Sequence, residues 1–237
     1  MAISTHNFGA LQREAYEANL ALNDAGLVVS TFGNASVLDR LAGVFAIKPS
    51  GVPYASLKTE DMVLVDLDMK VVSGALRPSS DTNTHAVLYR DFDRIESVCH
   101  THSTYAVAWA QALRSIPVYG TTHADHLTLP VPCTPLMSDA RIAGDYEIET
   151  GREIVAFFSQ NGLSPAEVEM VLVGGHGPFT WGKSGTRAVY NSVILEEIAR
   201  MAALTEQINP DAAPIKDSLI QKHWTRKHGE KAYYGQE

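Results

Sequence analysis

The sequence predicts an α/β fold, with three α/β/α layers around a central, largely antiparallel sheet. Segments with helical spacing and segments with strand character alternate along the chain. The early strands join through tight turns, which suits antiparallel pairing. Helices placed on both sides of such a sheet give three layers. No repeat, low-complexity segment or linker divides the chain, so residues 1–237 read as one domain.

The elements follow in order. Gln12 to Ala25 places Ala15, Ala18, Leu20 and Leu22 at helical spacing and stops at Gly26. Val28 to Val37 and Val44 to Ile47 read as a hairpin joined through residues 39–43. Ser56 to Asp61 reads as one helical turn, and Met62 to Leu67 with Lys70 to Val72 as a second hairpin around Asp68. Asp81 to Asp91 is a short predicted helix, followed by a strand, Glu96 to His102, and a helix from Ser103 to Leu113. Thr150 to Asn161 is helical and closes at Gly162. Glu169 to Val173 and Phe179 to Trp181 read as strands. Thr186 to Ile208 is a long helix with an apolar stripe, and Pro214 to Lys227 a final one.

Bulk properties exclude several functions. The formal net charge is -8, with no basic run longer than the Lys222 to Lys231 tail, so nucleic acid is not an expected partner. An anionic ligand has to be held by local donors against the average field. Two cysteines, Cys99 and Cys133, make no disulfide framework. No apolar stretch approaches the roughly 20 residues that span a bilayer. The start, Met1 to His6, lacks a basic region followed by an apolar one, so the expectation is no signal peptide and a cytoplasmic protein.

The chemistry-bearing feature is His100-Thr101-His102. On a strand, residues i and i+2 share a face, so two imidazoles stand side by side while Cys99 faces the core. His176, in the turn Gly174-Gly175-His176-Gly177, is a candidate third nitrogen. Three nitrogens leave room for a carboxylate and an open position, the arrangement of a catalytic metal site. Asp81 is the candidate carboxylate, with a helix N-cap as its competing role. His85, one turn further along, is a candidate further ligand or a residue that orients one. Such a donor set suits zinc, manganese or cobalt.

Three turns can cradle a phosphate. Ser79 and Ser80 precede a helix, where free backbone N–H groups attract anions. Lys48-Pro49-Ser50-Gly51 ends a strand with a cation, a hydroxyl and a glycine. Gly33-Asn34 interrupts a strand, where a missing side chain admits close approach. Together with the histidines, they point to a phosphorylated polyol. Thr121 to His126 gathers titratable groups, including Asp125, in a predicted loop, where catalytic residues concentrate. In the tail, Tyr233 and Tyr234 read as surface packing or, near a metal, as a proton carrier.

These segments, with residues 17–22, 32–36, 47–51, 78–82, 100–103, 120–125, 176–179, 226–229 and 232–236, closely resemble the class II sugar-phosphate aldolase/epimerase family nearly end to end. The resemblance implies a zinc-type site of Asp81, His100, His102 and His176. It implies sugar-phosphate contacts at Gly33, Asn34, Ser50, Gly51, Ser79 and Ser80, beside Lys48. It implies Asp125 and Tyr234 as an acid/base pair, and a homotetramer with active sites between subunits, completed by the tail at about 228–237. Family aldolases carry a glutamate base where this chain has Asp81, whose shorter side chain favours a fixed ligand and so an epimerase. Asn83 stands where a proline is usual, and Gly174-Gly175 where polar residues are common.

The implied reaction interconverts L-ribulose 5-phosphate and D-xylulose 5-phosphate by retro-aldol cleavage of C3–C4, rotation of glycolaldehyde phosphate and re-formation of the bond. Arabinose and ascorbate routes can share that step. The alternative is an aldolase that releases its fragments. A metallohydrolase also uses His-x-His, but there the triplet opens a strand–helix repeat that this chain lacks. A non-catalytic metal- or sugar-binding protein leaves Asp125 and Tyr234 without a purpose.

Overall fold

The structure, a computed structural model, describes residues 7–229 and Ala232. Its centre is a seven-stranded sheet: β1 (Asn34–Asp39), β2 (Val44–Ile47), β3 (Val63–Asp66), β4 (Val71–Ser73), β5 (Ser97–His100), β6 (Met170–Val173) and β7 (Gly177–Gly182). The order is β4-β3-β2-β1-β5-β7-β6, and every pair is antiparallel. Local turns build both flanks. The β1–β2 turn is tied by Asp39 Oδ1, which accepts from the amides of Leu41 and Ala42 at 3.0 Å each.

Helices cover both faces, as expected. The helices α1 (Gly9–Asp24) and α7 (Gly185–Ile208) lie on one, α1 against β1 and β2, α7 against β5 and β7. On the other lie α2 (Thr82–Asp91) and α6 (Tyr146–Gln160), which also pack on each other. The period-2 alternation of the strands divides the core accordingly. Val37, Val44, Ala46 and Leu64 meet Ala15 of α1. Leu38, Phe45, Ile47, Val63 and Val65 meet Ala86, Leu88 and Tyr89 of α2 and Ile154 and Phe158 of α6. The helix α3 (Thr104–Gln111) packs on α7, and a short α4 (Thr121–Ala124) on α8 (Asp217–His228). A four-residue α5 (Asp139–Ile142) leads into α6.

Several boundaries differ from the sequence reading. The expected strand from Val28 begins only at Asn34, because Ser30 and Gly33 take φ of 58° and 78°, which breaks an extended run. Residues 56–61 split into two 3-10 turns, Tyr54–Ser56 and Thr59–Asp61. Pairing of β5 stops at His100, which lies opposite Asn34, the first residue of β1. The helix α6 starts four residues early, at Tyr146, capped by Asp145, whose side chain accepts from the Ile148 amide at 3.2 Å. Residues 121–124 are helical rather than loop. The last helix begins at Asp217, not Pro214, because Ile215 is held extended by its amide's bond to Val118 O.

Candidate active site

Three strands deliver the imidazoles. His100 ends β5, opposite Asn34 of β1 and Phe179 of β7. Its Nδ1 lies 3.0 Å from Pro178 O. A carbonyl only accepts, so Nδ1 carries the proton and Nε2 presents a lone pair. The ring stacks on Phe179 with centroids 4.2 Å apart. His102 lies two residues on, past the strand end, yet its Nε2 is 3.0 Å from His100 Nε2. His176 sits in the tight β6–β7 turn, its amide bonded to Val173 O at 3.0 Å. Gly175 has φ of 72°. A Cβ on Gly174 would lie 2.5 Å from Thr134 O, so the two departures Gly174 and Gly175 are what this turn requires.

The nitrogens of His100, His102 and His176 all lie within 4.8 Å of one another. Burial, with His100 adjacent, pushes His102 down and His176 down to about 3. Three rings converging on one point, one of them with its outer nitrogen spent on a carbonyl, fit a divalent cation.

Asp81 stands beside them but outside the three-nitrogen group. It precedes α2, yet its side chain makes no capping bond. Its Oδ2 instead accepts from Asn34 Nδ2 at 2.6 Å. Burial pushes this carboxyl up, but His100, His85, the Asn34 bond and His176 outweigh it and hold it below the usual carboxylate range. Asp81 is therefore an anion aimed at the histidines, not a cap.

A cleft of about 370 Å³ joins this group to the predicted phosphate turns. Gly33, Asn34, Lys48, Ser50, Gly51, Ser79, Ser80, Asp81, His102 and His176 all line it. The two outer turns are zipped together: Ser79 donates its amide to Lys48 O at 3.0 Å and Ser50 to Arg77 O at 2.9 Å. These amides are spent, which narrows the expectation of free N–H groups. Those of Gly51 and Ser80 carry no protein acceptor among the described residues. Gly51 needs φ of 69° to make its turn. Gly33 serves packing as much as access, because a Cβ there would lie 3.0 Å from His100 O.

Lys48 is 2% exposed. Its ammonium lies 3.5 Å from Thr31 O, 3.4 Å from Pro49 O and 4.7 Å from the Tyr54 ring centre, with no carboxylate partner among the described residues. Burial lowers it to about 8. A buried, uncompensated cation is costly unless an anion joins it.

The cleft also contains residues that the sequence reading missed. Tyr146 and Glu147 line it, and Tyr146 Oη lies 3.3 Å from His176 Nδ1. Asp145 before an acidic first turn (Glu147, Glu149) is the N-cap signal that could have found them. Phe32 also lines the cleft, its ring 5.8 Å from His102.

Asp125 is not among the residues lining the cleft. It caps α4 from the C-terminal side and is gripped by α8. Arg226 donates from Nε and Nη2 at 3.0 and 2.6 Å, and His223 Nδ1 at 3.0 Å. His228 Nε2 donates to Asp125 O at 3.0 Å. Partial burial raises the Asp125 carboxyl, but Arg226 and His223 bonds win and hold it low. It is therefore a carboxylate in the folded chain. Tyr234 lies outside the described residues.

An antiparallel sheet covered on both faces carries three convergent histidines beside a cleft lined by Lys48, Asp81 and Glu147, an arrangement able to hold a cation and an anionic ligand together. The chain belongs to the class II aldolase and adducin N-terminal domain family, which matches residues 13–203. It is 48% identical over 226 residues, 95% of this chain and 98% of the relative, to an L-ribulose-5-phosphate 4-epimerase UlaF of Salmonella paratyphi A. The same identity and coverage relate it to that of Salmonella typhi. Among solved structures, an L-fuculose 1-phosphate aldolase superposes with a TM-score of 0.76 at 22% identity, covering 92% of this chain and 95% of that one. The L-fuculose-1-phosphate aldolase of Thermus thermophilus gives 0.63 at 24%, covering 87% and 98%. At those identities the likeness establishes the fold alone. No helix among the described residues is long and apolar enough to cross a membrane.

Proposed function

We infer that this chain is an L-ribulose-5-phosphate 4-epimerase, interconverting L-ribulose 5-phosphate and D-xylulose 5-phosphate. The observation that carries the reading is one cleft lined by Asp81, His102, His176 and Lys48, whose buried ammonium has no carboxylate partner among the described residues. The relatives' full-length similarity supports it.

The substrate dictates the mechanism. Its C4 hydrogen is not acidic, because the ketone lies two bonds away, so deprotonation cannot invert that centre. Cleaving C3–C4 can. His100, His102, His176 and Asp81 would hold a divalent cation, zinc by donor type, with manganese or cobalt able to substitute. Such a cation, when bound, supplies Lewis acidity for the developing negative charge. Lys48, Ser50, Gly51, Ser79 and Ser80 hold the phosphate, while Gly33 and Asn34 form the floor between the phosphate and the metal ligands. Asp125 accepts a proton from one C4 hydroxyl, and Tyr234 exchanges one on the other face. Rotation of the aldehyde of glycolaldehyde phosphate about its bond, with the phosphate still held, presents the opposite face before the bond re-forms. Retention of both fragments keeps their effective concentration very high.

Asp125 lies with α8, away from its own chain's cleft lining, and this supports a homotetramer in which Asp125 and the tail at about 228–237 serve a neighbour's cleft. A cytoplasmic location fits this metabolism. The shorter Asp81, fixed by Asn34, disfavours the aldolase alternative, which needs a mobile base. Supplying L-ribulose 5-phosphate and assaying both outcomes tests the reading. D-Xylulose 5-phosphate is expected, and accumulation of free dihydroxyacetone would show an aldolase instead.

A further inference from the structure

Behind the wall of the cleft stands Tyr54, which takes no part in the proposed chemistry. It is 4% exposed, opens the 3-10 turn Tyr54–Ser56 three residues past Gly51, and is not among the residues lining the cleft. Both parts of its side chain nevertheless meet residues that are. The ring centre lies 4.7 Å from the Lys48 ammonium. The hydroxyl donates to Gly33 O at 2.8 Å and, more weakly, towards Phe32 O at 3.2 Å. Burial pushes the phenol up, so it keeps the proton it donates.

Three consecutive carbonyls are gathered on this pair of side chains. Lys48 Nζ lies 3.5 Å from Thr31 O, and Tyr54 reaches the next two. Oxygens engaged by these donors are not free to turn into the cleft, where they would repel an anion. The segment needs such a hold, because Ser30 and Gly33 take φ of 58° and 78°, and glycine has no side chain to restrain its peptide. Lys48 needs one as well. Its stem is flexible, its charge has no carboxylate partner among the described residues, and an aromatic face partly compensates a desolvated ammonium.

We propose that Tyr54 is a positioning residue for anion binding: with its ring against the Lys48 ammonium and its hydroxyl on the Gly33 carbonyl, it holds the cation and residues 31–33 at one fixed spacing. The proposal rests on the cleft taking the phosphate of its substrate beside Lys48.

The test uses the full-length protein with Tyr54→Phe, which keeps the ring and removes the hydroxyl, and Tyr54→Leu, which removes both contacts. Inorganic phosphate is titrated by calorimetry, and turnover of L-ribulose 5-phosphate is followed alongside. A neutral hydrogen bond and a cation–π contact each carry about 2- to 10-fold in binding. Tyr54→Phe should weaken phosphate binding by about 2- to 10-fold, and Tyr54→Leu by about tenfold or more. KM should rise by similar factors with a smaller change in kcat, and zinc affinity should not move. Unchanged phosphate affinity in both variants would overturn the proposal. So would zinc affinity that falls in step with phosphate affinity, which marks a general packing defect, or an unaltered protein that binds no phosphate. If the unaltered protein binds phosphate but leaves L-ribulose 5-phosphate unconverted, the epimerase reading fails instead, and the phosphate affinities of the two variants still judge Tyr54.

Discussion

Asn34 Nδ2 donates to Asp81 Oδ2 across 2.6 Å, so the first residue of β1 holds the residue that precedes α2. The bond spans 47 positions in the chain. It diverts Asp81 from the capping role that its place before a helix would suggest and leaves the carboxylate facing the histidines.

Replacing Asn34 by alanine should therefore act on the cation rather than on the fold. Zinc affinity should fall about 10- to 100-fold, the usual cost of losing a residue that orients a ligand. Competition against a chromogenic chelator measures it. Unchanged affinity would mean that Asp81 is not a ligand.

Lys48 gives a pH prediction. Its amine is pushed down to about 8 by burial, so it is an ammonium at neutral pH and loses its charge as pH rises through about 8. Binding of a phosphate dianion needs the charged form. kcat/KM should be flat below that pH and fall above it, and Lys48→Arg should move the fall to higher pH. Lys48→Met should lower kcat/KM about 10- to 100-fold at neutral pH, since hydrogen bonds to charged groups contribute about 1.5–3 kcal/mol. Unphosphorylated L-ribulose should show no such penalty.

Much of this was legible in the chain. The i, i+2 rule placed His100 beside His102 although the strand stops at His100, because the backbone stays near extended long enough to keep both rings on one side. The glycines before His176 signalled a tight turn, and the structure shows why: Thr134 O and Leu136 occupy the space of any side chain there. The phosphate turns were readable as local chemistry. Their convergence was not, since the pairing of Lys48 O with the Ser79 amide joins segments with no common motif. Nor was the grip of Arg226 on Asp125, about a hundred residues away. Tyr146 and Glu147 were missed because the start of α6 was placed too late.

Gly174 makes the turn a test of stability. A Cβ there meets Thr134 O at 2.5 Å and Pro135 O at 2.9 Å, both backbone atoms that cannot rotate away. Gly174→Ala should destabilise the protein by about 1–3 kcal/mol, as overpacking does. For a chain of this size, that lowers Tm by roughly 2–4 °C per kcal/mol. Zinc affinity should fall with it, because His176 lies two residues on. A variant with an unchanged melting curve would show that the loop relaxes freely.

Asp125→Asn and His100→Asn should each lower turnover by about 10²-fold or more, the first by losing a proton carrier, the second by losing a metal ligand. If Asp125 serves a neighbour's cleft, the two inactive variants should complement each other when unfolded and refolded together, because one chain keeps an intact histidine group and the other an intact Asp125. Activity well above either variant alone is expected. No recovery despite mixed assembly would place Asp125 in its own chain's site.

The most direct measurement removes the cation. Protein stripped with a chelator and dialysed should convert no L-ribulose 5-phosphate, and zinc, manganese or cobalt at about one equivalent per chain should restore formation of D-xylulose 5-phosphate, with no restoration in His100→Asn. Full turnover by the stripped protein would contradict a metal-assisted cleavage.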